Sequence, residues 1–116
     1  FQHLEKALAI ENPSEVELGG IIQFYEMAFE LAWKLMKDYL DEQGFQVTTP
    51  RQSIKQSFQI GLIADGHVWI DALVDRNLTT HTYDEDTAMK VVSKIREAYF
   101  PALQQLYNNF KSFMIS

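Results

Sequence analysis

Cysteine is absent from the 116 residues, which removes disulfides, thiolate nucleophiles and cysteine-ligated zinc from consideration and leaves a reducing cytoplasm as the expected location. Proline occurs three times and glycine five, and no stretch reads as a linker, a low-complexity tract or an internal repeat. Basic residues are also scarce. Ten Lys and Arg stand against sixteen Asp and Glu, for a net charge of -6, which excludes the broad basic surface that holds duplex nucleic acid by counterion release. A small local phosphate site stays compatible with that balance, with Lys34, Lys37, Arg51 and Lys55 as the bases available to it. No apolar run approaches the ~20 residues that cross a bilayer, and the start lacks a signal-peptide pattern, so no membrane partner is expected. Residue 1 is Phe rather than Met, so the native start can lie upstream.

Apolar residues, by contrast, are plentiful. At 47% of the chain they suffice for one core, and residues 1–116 are read as a single domain. Their spacing is helical almost throughout. Ile21, Phe24, Tyr25, Ala28, Ala32, Leu35, Met36 and Tyr39 form one stripe, and Ile22, Phe29, Trp33 and Leu40 a second on the same helix, which is therefore central or lies at a subunit interface. Ser14 with Glu17 is a capping box for its start, and Gly44 supplies its stop. Thr49 and Pro50 open a shorter helix with Ile54, Phe58 and Ile60 facing inward, ended by Gly61. A helix from Asp65 or Gly66 carries Ile70, Leu73 and Val74 on one face. Asp84 caps a final helix bearing Ala88, Val91, Val92, Ile95, Tyr99, Ala102, Leu106, Phe110 and Phe113, with a kink expected at Pro101. With Leu4 to Ile10, this predicts an all-α, antiparallel up-and-down bundle of about five helices.

The chemistry-bearing stretch is Asp75 to Tyr83, DRNLTTHTY. It sets a guanidinium that can clamp phosphate, an amide that can orient it and an imidazole that titrates near neutrality on one short segment. Asn77 and His81 extend the stripe of Leu73, whereas Arg76 and His81 would point about 140° apart on an unbroken helix. Their convergence requires the helix to end between them or a second subunit to complete the site. The plain alternative is a hydrogen-bonded core histidine and an arginine paired at a surface. Glu26, Glu30 and Lys34 read as a solvated face with a Glu30 to Lys34 pair. Gly19 and Gly20 read as permitting close helix packing, and Trp69 as adjacent to the Ile70 stripe and available to an interface. His3, His67 and His81 are scattered and no metal-binding motif is present, so no metal site and no cofactor are expected.

Arg76, His81 and Tyr83, in the order R-x4-H-x-Y, resemble the motif of HEPN domains, the small helical partners of minimal nucleotidyltransferases. The segment Phe29 to Leu40, FELAWKLMKDYL, is similar to the long helix of the subset known as nucleotidyltransferase substrate-binding subunits. The resemblance implies a homodimer whose paired motif segments meet in a cleft. It also implies metal-independent RNA cleavage, with His81 handling the proton of the 2′-hydroxyl, Arg76 stabilising the phosphorane and Asn77 holding the phosphate. Tyr83 would be the tyrosine that a partner nucleotidyltransferase adenylylates, restraining a toxin. The family also contains subunits described only as substrate-binding, so a noncatalytic subunit that presents a nucleotide or other acceptor to the transferase is the competing expectation.

Overall fold

The computed structural model describes residues 2–78 and 84–115, and among them every regular element is helical. The elements are α1 (Gln2–Leu8), α2 (Glu15–Glu42), α3 (Pro50–Gln59), α4 (Gly66–Leu78), α5 (Glu85–Lys94), a π-helical turn (Ile95–Tyr99) and α6 (Phe100–Ile115). The last three run on without a break, so the described residues form five rods, the arrangement of a helical bundle. At about 1.5 Å per residue, the 28 residues of α2 span nearly the whole 44 Å long axis of the molecule. It touches α1, α3, α4, α5 and α6, which settles its central position.

The helix ends follow local chemistry. The Ser14 hydroxyl accepts from the Glu17 amide at 3.2 Å, and the Glu17 carboxylate accepts from the Ser14 amide at 2.9 Å, completing the expected capping box. Gly44 adopts φ 93° after α2, a conformation that costs any side-chain-bearing residue. Thr49 caps α3 through the Gln52 amide and Asp84 caps α5 through the Thr87 amide. The bonds from Thr87 hold the Asp84 carboxyl below its usual range. The disturbance expected at Pro101 takes the form of the π-turn, in which the Phe100 amide donates to the Ile95 carbonyl five residues back. Pro101 offers no amide to continue an α ladder.

Both α2 stripes pack into the core, with Ile21, Ile22, Tyr25, Phe29, Met36 and Leu40 at its centre, Phe24, Ala28, Trp33 and Tyr39 half-buried at its margin, Leu4 closing it from α1 and Ile54 from α3. Two inward assignments are overturned: Phe58 and Ile60 are exposed. Leu35 and Val74, each on an apolar helix face, are exposed as well. On α3 the inward positions beside Ile54 are Ser53 and Ser57, and the Phe58 ring instead lies over Gly66, where an added Cβ would sit 3.3 Å from it. On α4 the large indole of Trp69 takes the core place assigned to Ile70, packing 6.0 Å from the Phe29 ring. Gly19 and Gly20 meet no atom within 4 Å of an added Cβ, so among the described residues they permit no close approach. On the final rod Leu103, absent from the predicted stripe, is buried while Ala102 and Phe110 are half-buried.

Candidate functional site

The end of α4 is where apolar packing gives way to polar contacts. Trp69, Ala72 and Leu73 are buried, and on the next turn Asp75 is buried as well, with Arg76 half-buried and Asn77 exposed. Asn77 therefore does not continue inward from Leu73. It faces outward, where a substrate or partner can reach it.

Arg76 points across to α2. Its Nη2 donates to Oε2 of Glu30, and its Nη1 donates to Oδ1 of Asn77 at 3.3 Å. Glu30 also pairs with Lys34 at 3.5 Å. The reading of Glu26, Glu30 and Lys34 as a merely solvated face is thus corrected: Glu30 is the anchor of the motif arginine. These groups line an open cleft of about 490 Å³ bounded by Glu26, Met27, Glu30, Leu31, Lys34 and Arg76. A phosphate entering it would meet a guanidinium and an ammonium and would have to compete with Glu30 for both. Lys37 adds little to that cleft, because its ammonium donates to Asp41 at 2.9 Å, which raises its pKa.

Behind Arg76 lies a second polar group of contacts that the sequence did not reveal. The Tyr99 hydroxyl, from the π-turn, donates to Asp75, and Lys94 stands 3.5 Å from the same carboxylate oxygen. The Tyr25 hydroxyl from α2 donates to the Ala72 carbonyl, and the Tyr25 and Tyr99 rings stack at 5.7 Å. Burial drives both phenol pKa values well above the ordinary tyrosine range, reinforced for Tyr25 by Tyr99 and Asp75 and for Tyr99 by its bond to Asp75. Both hydroxyls consequently remain donors at any working pH.

Beside the cleft, Met27, Leu31 and Leu35 succeed one another at four-residue steps along α2 and are exposed, as are Val74 on α4 and Tyr107 on α6. Leu31, Leu35 and Tyr107 also line an apolar groove with Ala28, Ala32, Leu103, Leu106 and Phe110. The predicted convergence of Arg76 with His81, and the position of Tyr83, lie outside the described residues. The described residues hold no cluster of three or more potential metal-ligating His, Cys, Asp or Glu side chains. No helix searched among them is long and apolar enough to cross a membrane.

A helical bundle with this element order, closing its fourth helix on Arg76 and Asn77 ahead of His81 and Tyr83, is a HEPN-type bundle. More narrowly, the chain belongs to the family described as nucleotidyltransferase substrate binding protein like, whose family model matches residues 1–112. It is 32% identical over 92 residues to the Haemophilus influenzae protein named "Probable ribonuclease HepT", an alignment covering 72% of this chain. The chain spans 63% of that relative's length. A crystal structure from Thermus thermophilus is similar throughout, with a TM-score of 0.79 at 32% identity, covering 90% of this chain and 96% of that one.

Proposed function

We propose that this protein is the ribonuclease half of a two-component system whose other member is a separately encoded minimal nucleotidyltransferase. The observation that carries the reading is Arg76, fixed by Glu30 and Asn77 at the mouth of an open cleft and standing five residues before His81. In the proposed reaction His81 removes the proton of an RNA 2′-hydroxyl, and that oxygen attacks the adjacent phosphorus. Arg76 neutralises the phosphorane, Asn77 holds a phosphate oxygen, and the 5′-oxygen departs with a proton to leave a 2′,3′-cyclic phosphate. The neighbouring exposed strip of Met27, Leu31 and Leu35 supports a homodimer, in which two motif segments share one cleft. Adenylylation of Tyr83 by the partner would place a bulky anion at that cleft and switch cleavage off, as the toxin half of a toxin and antitoxin pair requires. The proposed setting is cytoplasmic.

A second reading rests on the family's description and on the net charge of -6, which leaves little surface to grip a long RNA. Under it the cleft binds a nucleotide or other acceptor for the transferase without cleaving anything. Incubation with total tRNA and mRNA in EDTA, wild type against His81→Ala, separates the two. Cleavage by wild type alone is the expected result. Silence from both, with the protein folded, dimeric and unmodified at Tyr83, favours the binding subunit. Incubation with the partner and ATP should add one AMP per modified chain by mass spectrometry, lost in Tyr83→Phe.

A further inference from the structure

Asp75 is an expensive residue to bury. It is 7% exposed and, among the described residues, shares the buried polar class only with Ser53 and Ser57. An inward carboxylate at the end of α4 costs stability unless other groups satisfy it, and an apolar side chain of similar size would fill the space more cheaply. Its partners come from a different rod: Tyr99 in the π-turn and Lys94 just before it. One turn back on the same side of α4, the Ala72 carbonyl is held by Tyr25 from α2. The two tyrosines brace each other by stacking. Two hydrogen bonds and an ion pair from two rods therefore grip consecutive turns of one helix.

Directed contacts do what apolar packing does poorly. Cores retain stability while losing a unique arrangement, so Trp69 and Leu73 alone would let α4 roll slightly about its axis. A roll of about 10° carries a group at the ~5–6 Å helix rim through about 1 Å. At a reacting centre, a displacement of that size can cost about 10²-fold in rate.

We propose that Asp75 is the positioning residue of this site: gripped by Tyr99 and Lys94, it fixes the rotation of α4 at which Arg76 meets the cleft. The next residue, Arg76, is carried about 100° further round the helix, which turns it from the α5 side to Glu30 on α2. Asp75 is buried and does not line the cleft. Its catalytic consequence rests on the ribonuclease reading above, whereas its control of Arg76 does not.

The test uses Tyr99→Phe, which keeps the ring and its stack on Tyr25 and deletes only the donor, together with Asp75→Asn. Both should shift the Arg76 Nε–Hε resonance in heteronuclear NMR. They should also lower single-turnover kcat about tenfold with KM near wild type, and cause no further loss when placed on Arg76→Ala. An unmoved Arg76 resonance accompanied only by a lower melting temperature overturns the assignment, as do rate losses that multiply with Arg76→Ala. If the wild type cleaves no RNA, the ribonuclease reading falls, and the Arg76 resonance in folded Tyr99→Phe still decides the positioning role.

Discussion

From Gly66 to Leu73, α4 is anchored by burial: Trp69 is 2% exposed and packs on Phe29, and Ala72 and Leu73 lie against the same core. From Asp75 to Asn77 the same helix is held by hydrogen bonds and charge, to Tyr99, Lys94 and Glu30, and its outermost residue faces solvent. Burial is non-directional and scales with area, whereas hydrogen bonds specify angle. One helix thus combines a half that decides whether the bundle forms with a turn that decides where a guanidinium points.

Substitutions should separate the two halves, beginning with the most damaging. Trp69→Ala empties the centre of the core and should cost about 3–5 kcal/mol of unfolding free energy, read by chemical denaturation. Arg76→Ala should leave that free energy nearly unchanged and lower kcat for RNA cleavage by about 10²–10³-fold. An Arg76→Ala protein that melts like Trp69→Ala would erase the distinction between the halves. Glu30→Gln keeps a hydrogen-bonding partner for Arg76 but removes its charge, and should lower cleavage roughly tenfold with an unchanged far-ultraviolet circular dichroism spectrum. Lys94→Ala removes a mostly exposed cation 3.5 Å from Asp75 and should shift stability by less than about 0.5 kcal/mol.

The caps of this bundle were legible because each is a local rule: Ser14 with Glu17, Thr49 with Pro50, and Asp84 reach backbone amides within one turn. The phase of α4 was not. Every residue from Val68 to Val74 except Asp71 is apolar, so periodicity fits more than one inward face, and the bulkiest ring takes the core. Arg76 and Asn77 were singled out as candidates by the segment Asp75 to Tyr83. Glu30, Asp75 and Tyr99 were not, since their contacts join residues 46 and 24 positions apart. The spacing of Glu26, Glu30 and Lys34 is that of any exposed helix face, and nothing local announces that one of those carboxylates reaches another rod. Phe58 and Ile60 were placed inward on hydrophobicity alone, while the two small serines of α3 occupy the face against the core.

The π-turn gives the last rod a seam. At Phe100 the amide reaches back five residues to Ile95, and Pro101 has no amide proton at all. The hydrogen-bond ladder that would couple α5 to α6 is weakest where the two meet. Under deuterium exchange the rod should run as two clocks. α5, pinned against α2, keeps the slow time of the whole bundle, and α6 can fray toward its end without loosening the grip of Tyr99 on Asp75.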